Sequence, residues 1–283
     1  MSHRMKTLQE LTIKDNFMFG AAMLDPENCR GFLEMVLGIP IESVQVDIEK
    51  SLIYNPEYKG VRLDVLVKDA FNTHYNIEMQ AVSQKELGKR SRYYHSQIDM
   101  ELLLSGQSYS NLPNTYVIFV CDFDPFGWGK YRYTFEKTCI ETEEAKLGDG
   151  QTSIFLSTCG KNEEDEPEEL IRFLRYVKAD LEDSTKDFGD RYVSRVQKSV
   201  KKIKESREMG VRYMTLYEIR NEAKAEGKAE GKAEALILLL KSKGSVSEDL
   251  NAKIMNQTEL NVLERWFHNA IKATTVEAFM ESM

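Results

Sequence analysis

A chain of 283 residues with 42% hydrophobic side chains can bury a substantial core, either as one large domain or as a domain with an appendage. No apolar run approaches the roughly 18 residues needed to cross a bilayer, and the opening Met1-Ser2-His3-Arg4-Met5-Lys6 leads into a polar stretch without an export signal. A cytoplasmic protein with no membrane partner is expected, and its formal charge of −8 leaves only local basic surface for a polyanion.

The chain opens with a helix from Lys14. Asp25 as N-cap and Pro26 at the first position start a second helix, which carries Phe32, Leu33, Val36 and Leu37 until Gly38 stops it. Val44, Val46 and Ile48 alternate with polar residues as a strand, and Leu52-Ile53-Tyr54 extends or follows it. Val61 to Val67 and Tyr75 to Ala81 then read as two strands joined by the turn Lys68 to His74. Ser83-Gln84-Lys85-Glu86 has the form of a capping box and predicts a helix start there. Leu87, Tyr94, Ile98 and Leu102 give that helix a buried stripe, with Gly106 as its stop.

Tyr116 to Cys121 is apolar on both faces, as a central strand covered by helices on two sides must be. Tyr131 to Phe135 and Ser153 to Leu156 are further short strands. An acidic run, Glu163 to Glu169, overlaps the start of a helix opened by Pro167 with Leu170, Phe173, Leu174 and Val177 on its apolar side. Tyr192 to about Lys243 contains no proline and includes a basic cluster of Lys198, Lys201, Lys202, Lys204, Arg207 and Arg212. For both charge runs a solvated helix face is the favoured reading over a binding surface.

Ala223, Gly227, Gly231 and Ala235 recur every four residues, either as a close-packing stripe for a partner helix or as a flexible linker of slipped repeats. Ser247, Thr258 and Thr275 look like caps of short terminal helices holding Leu260, Leu263, Trp266, Phe267 and Phe279. The order predicts an α/β fold, a mixed sheet flanked by helices, followed by an all-helical C-terminal region. Segments 1–160, 161–220 and 221–283 are the expected domains.

The chemistry concentrates in the hairpin. In Val61 to Val67 the odd positions are apolar, so Arg62 and Asp64 point away from them, while Asn76, Glu78 and Gln80 share a face of the second strand. A turn centred on Phe71 sets Asp64 opposite Glu78, roughly 4.5–5.5 Å apart at Cβ. Two like charges in that position are destabilising unless a cation lies between them, and carboxylate oxygens suit Mg²⁺ or Mn²⁺. A surface hairpin with a polar outer face would give the same alternation.

Cys29, Cys121, Cys139 and Cys159 show no Cys-x-x-Cys spacing, and His3, His74, His95 and His268 form no His-x-x-x-His pair, which argues against a zinc site. Glycine-rich phosphate loops and Gly-x-Ser-x-Gly are missing too, against nucleotide hydrolysis and serine hydrolase chemistry.

Gly60-Val61-Arg62-Leu63-Asp64 followed by Ile77-Glu78-Met79-Gln80 resembles the PD-(D/E)XK nuclease core, in the form carried by Rpn-type recombination-promoting nucleases and transposase-like proteins. Asp15 with Phe17 and Phe19, and Arg90, Arg92, Tyr93 and Tyr94, extend the resemblance from about Thr12 to mid-chain, with a similar repeat helix further on. It implies a restriction-endonuclease-like fold and a Mg²⁺- or Mn²⁺-dependent DNA endonuclease active in recombination, mobile-element or defence settings. It also implies Asp64, Glu78 and the Met79 carbonyl as metal ligands and Gln80 as positioner of water or phosphate. Arg90, Arg92 and Tyr93 are candidates for nucleic acid contact, and Asp15 either faces the cleft or caps its helix. Glu34 is a possible extra carboxylate or an exposed helix residue.

Leu63 replaces the proline of the first motif and Gln80 the lysine of the second. A glutamine amide orients a water but cannot titrate or supply charge. Lys68, Lys85 and Lys89 are the candidate replacements nearest in sequence. A rival reading keeps the fold as an inactive scaffold that assembles or binds partners through its helical tail. RNA is a second possible substrate.

Overall fold

A computed structural model describes residues 6–52 and 61–283, so Ile53, Tyr54 and the Gly60 of the motif lie outside the described residues. The chain divides into two compact units, Met1–Met209 and Gly210–Met283.

In the first unit α1 (Asn16–Met23) and α2 (Pro26–Leu37) precede β1 (Val44–Leu52), β2 (Val61–Asp69) and β3 (His74–Gln80). The start of α2 is as its sequence predicts, with the Asp25 carboxylate accepting the Glu27 N–H at 3.0 Å and Gly38 left-handed beyond the last turn at φ 69°. There follow α3 (Leu87–Leu102), β4 (Thr115–Cys121), β5 (Arg132–Phe135) and β6 (Gln151–Ser157), then α4 (Glu168–Lys178) and α5 (Arg191–Glu205). Among the described residues the sheet has six strands in the order β1-β2-β3-β4-β6-β5. It is mixed: β3, β4 and β6 run parallel, and the remaining pairings are antiparallel.

The β2–β3 register pairs Val65 with Ile77 and Lys68 with His74, which is the symmetry about position 71 expected from the sequence and brings Asp64 level with Glu78. The Asp69 carboxylate builds the turn by accepting the N–H groups of Phe71 (2.9 Å) and Thr73 (2.8 Å), while Asn72 takes the left-handed conformation at φ 63°. Its other oxygen accepts the Tyr75 hydroxyl at 2.7 Å. We expect Asp69→Ala to lower unfolding free energy by about 1–3 kcal/mol, read by urea denaturation, because it strands these donors.

β3 is buried along its whole length, being paired on both edges and covered by α3. This overturns the surface-hairpin alternative, since Asn76, Glu78 and Gln80 face the sheet-to-α3 layer and not solvent. That layer packs Leu87, Tyr94 and Ile98 against Val117, Phe119, Cys121 and Phe155. The helix of this layer starts three residues later than the capping box implies. Glu86 sits at φ 70° with no side-chain cap, and a left-handed residue cannot continue a right-handed helix. It ends at Leu102, before Gly106.

Helices α4 and α5 pack on α1 and α2, with ring centroids of Phe32 and Phe173 5.5 Å apart and those of Phe173 and Tyr192 5.6 Å apart. Gly31 permits the approach, since a Cβ there would lie 2.9 Å from the Tyr192 ring. The boundary expected near 160 is therefore absent: the helices after it complete the first unit's core.

The proline-free stretch is also interrupted. Ser206, in extended conformation, ends α5, and α6 (Arg207–Lys241) begins anew. In the second unit α6 is joined by α7 (Glu248–Met255), α8 (Leu260–Lys272) and α9 (Val276–Glu281) around Leu236, Leu240, Leu263, Trp266 and Phe279. Ser247 and Thr275 cap α7 and α9, whereas Glu259, not Thr258, precedes α8. The core of α6 uses Ala229 and Ala233; a Cβ added at Gly227 or Gly231 would meet only open space. No helix among the described residues is long and apolar enough to cross a membrane.

Candidate active site

A cleft of about 460 Å³ opens where the ends of β2 and β3 meet the start of α3, and Asp64, Glu78, Met79, Gln80 and Arg90 line it. Glu78 is only 2% exposed. One of its oxygens accepts the Asp64 N–H and the Asn76 amide, each at 3.1 Å. The other accepts Arg90 Nη2 at 3.2 Å and the Tyr94 hydroxyl at 3.4 Å. Asp64 Oδ2 accepts the Met79 N–H at 3.3 Å and Asn16 Nδ2 at 3.2 Å.

Burial, and after it the charge of Asp64, hold the Glu78 carboxyl well above the usual carboxylate range, against the opposing pull of its hydrogen bonds and Arg90. The structure thus keeps an acid where neither solvation nor its nearest charged strand neighbour favours ionisation. Neighbouring Cys121 has its thiol pushed up to about 12 by burial, so it offers no thiolate.

Gln80 is held at both ends. Its Oε1 accepts Arg90 Nη1 at 2.9 Å, and its Nε2 donates to the Met79 carbonyl at 3.1 Å. The Arg90 guanidinium also donates to Gln84 Oε1 (2.6 Å) and the Tyr94 hydroxyl (2.7 Å), lying 5.5 Å from the Phe119 ring centroid. One fork therefore ties the second carboxylate, the glutamine and the α3 core together. Sequence proximity pointed elsewhere for a cation. Lys68 pairs with His74 away from the cleft end of the hairpin, Lys85 is exposed, and Lys89 is bound to Glu86 at 3.1 Å. Arg90 reaches the pair because it lies one turn into α3, which the β3–α3 connection folds back over the strand.

The other candidates are not gathered here. Asp15 occupies the N-cap position of α1 but turns its carboxylate to the Thr12 N–H (2.7 Å) and Lys6 (3.0 Å), neither facing the cleft nor capping its helix. Glu34 binds Arg30 and the Ile41 N–H, each at 3.0 Å, on α2. Arg92 is exposed on α3, and Tyr93 packs part-buried against the sheet layer; neither lines the cleft. Asn16 and Asn76 were missed. Strand parity with Glu78 signals Asn76, whereas nothing local signals Asn16, which lies 48 positions from Asp64.

Among the described residues no three or more of His, Cys, Asp and Glu gather into a metal-holding group. The donor set is two carboxylates with the Met79 carbonyl and the Gln80 amide beside them. That fits Mg²⁺, which keeps several waters and takes one or two carboxylates plus substrate oxygens. Asp64 and Glu78 would hold it.

No curated protein and no solved structure matches this chain. A family model described as PD-(D/E)XK nuclease family transposase matches residues 17–233, a stretch that contains the whole described sheet and every residue lining the cleft except Asn16. On that match the chain belongs to the PD-(D/E)XK nuclease family transposases, as the hairpin motif and the mixed sheet flanked by helices both indicate.

Proposed function

We propose that the protein is a Mg²⁺-dependent endonuclease that hydrolyses DNA phosphodiesters in recombination or in mobile-element or defence processes, Mn²⁺ being an alternative ion. The observation that carries this reading is the buried Glu78 carboxyl beside Asp64, both lining an open cleft. Such a pair is costly to bury for stability alone, and a bound cation removes the repulsion. When bound, the ion lowers the pKa of water and neutralises charge on the scissile phosphate. Asp64 and Glu78 hold it, with the Met79 carbonyl as third oxygen, and Gln80 orients water or phosphate. Arg90 supplies beside Gln80 the positive charge that the family's lysine carries. Arg92 and Tyr93, outside the cleft, remain candidates for contact with flanking DNA.

The test is nicking of supercoiled plasmid with Mg²⁺ or Mn²⁺ by the wild type and by Asp64→Ala and Glu78→Ala. Nicking that survives both substitutions refutes the assignment. A labelled RNA of the same sequence decides between DNA and RNA. The scaffold reading has one observation in its favour, the engagement of the Gln80 amide at both ends. Calorimetry separates the two.

An enzyme takes up Mg²⁺ in a titration that Asp64→Asn abolishes. Because Glu78 must ionise to bind and its carboxyl is raised, affinity should increase as pH rises through that raised value, with proton release visible in buffers of different ionisation enthalpy.

The exposed stripe of Ala223, Gly227, Gly231 and Ala235 supports self-association through α6. Light scattering of a chain ending before Asn221 should then give fewer protomers per particle than the full chain; an unchanged number excludes it. A cytoplasmic setting agrees with the absence of a membrane-crossing helix among the described residues.

A further inference from the structure

A second cleft, of about 670 Å³, lies in the first unit between the segment before α1, the end of α4 and α5. None of its lining residues takes part in the metal-pair cleft. Ile13, Val200 and the ring of Tyr176 make an apolar floor, all buried, and such a volume is within the range of about 300–1,000 Å³ typical of small-molecule sites. Tyr176 is 1% exposed as a residue and lines the cleft, and its hydroxyl is not among the buried atoms left without a partner. A phenol hydroxyl at a cleft wall can donate to a molecule bound there.

The walls are cationic. Lys186, Lys198, Lys201 and Lys204 line the cleft against Asp187 and Glu205. Lys186 is paired with Asp183, and Lys201 with Glu205 at 4.0 Å. Lys198 and Lys204 have no ion pair among the described residues; Asp15 attracts Lys204 from beyond that distance, and its own carboxylate is bound to Lys6 and Thr12. Half-burial already holds the Lys204 ammonium below its ordinary value. The polar side chains around it are spent locally: Gln197 donates to the Ser184 and Lys186 carbonyls, and the Ser194 hydroxyl to that of Asp190.

We propose that this cleft binds a small organic anion, a carboxylate or phosphate monoester on an apolar body. The body lies on Ile13, Val200 and the Tyr176 ring, the charge is met by Lys198 and Lys204, and the Tyr176 hydroxyl donates to an oxygen of the ligand. The site stands apart from the metal pair, so it holds whether or not the chain cleaves DNA.

The test uses the full chain and the fluorescent sulfonate 8-anilinonaphthalene-1-sulfonate. One saturable site per protomer is expected, emptied by decanoate or decyl phosphate, whose relative potency identifies the preferred head group. Each lost charged contact should weaken the probe about tenfold or more, in Lys204→Met and in exposed Lys198→Glu alike. Tyr176→Phe should weaken it several-fold, with unchanged circular dichroism and unchanged plasmid nicking in all three. Binding of the probe by the two lysine variants as tight as by the wild type overturns the proposal. So does displacement by inorganic phosphate as effective as by decanoate, which would leave only a loose anion surface. Displacement by a short oligonucleotide at lower concentration than either amphiphile would assign the lysines to nucleic acid and likewise overturn it.

Discussion

Replacing Glu78 by Gln is expected to abolish plasmid nicking while leaving the protein as stable as the wild type or more so. The substitution keeps the shape of the side chain and, through its amide oxygen, the contacts to Arg90 and Tyr94; its NH2 then faces the donors of Asp64 and Asn76, a cost set against removal of the charge that burial and Asp64 oppose. Buried charged groups replaced by neutral ones of similar volume are often neutral or stabilising, whereas loss of metal-assisted charge stabilisation of about 4 kcal/mol slows hydrolysis about a thousandfold. A group whose folded pKa is raised contributes stability below its unfolded value and loses it as pH rises through the folded one. The advantage of Glu78→Gln should therefore grow from pH 6 to pH 9 in metal-free urea denaturation. Asp64→Asn should lose activity to the same extent. A Glu78→Gln protein that nicks at the wild-type rate at saturating Mg²⁺ would remove Glu78 from the metal site.

Arg90→Met is expected to cost about a hundredfold to a thousandfold in nicking rate, the scale of losing one preorganised donor at a centre of developing charge. Arg90 donates to Gln80, Glu78, Gln84 and Tyr94 from one guanidinium, so its removal frees Gln80 Oε1 and takes the only cation within hydrogen-bond reach of Glu78 among the described residues. Arg90 also pulls the Glu78 carboxyl down, so without it that acid rises further and Mg²⁺ uptake should need a higher pH. Arg90→Lys should restore the charge and part of the pH profile, but not the bidentate hold on Gln80 and Glu78. This split between rate and pH midpoint marks a positioning cation; a purely structural role would lower stability and leave the midpoint where it is. Wild-type nicking by Arg90→Met would return the search to the lysines.

The place of Arg90 in the site is set by the fold and not by distance along the chain. By sequence distance from Gln80 the candidate replacements for the missing lysine are Lys68, Lys85 and Lys89. The distance that matters is set by the chain reversal between β3 and α3, which brings position 90 over positions 78 and 80. The capping box misled for a related reason. Ser83 and Glu86 have the right spacing, but Glu86 adopts a left-handed backbone and Gln84 is bound to Arg90, so helix begins only at Leu87. The expected boundary at 160 failed because helical periodicity does not say what a helix packs against; α4 and α5 bury their apolar faces on α1 and α2.

What the amino-acid order determined by itself was local and periodic. Parity along two strands put Glu78 and Gln80 on one face, and a turn symmetric about Phe71 brought Asp64 level with Glu78, because side-chain direction in a strand and register in a hairpin depend on counting alone. The family motif is legible for the same reason. Only the tertiary structure decided that this polar face is buried, which Asn, Arg and Tyr surround it, and that Asp15 and Glu34 stand elsewhere. Those outcomes rest on contacts between distant segments, where desolvation and shared hydrogen bonds select the partners and no short-range pattern records them.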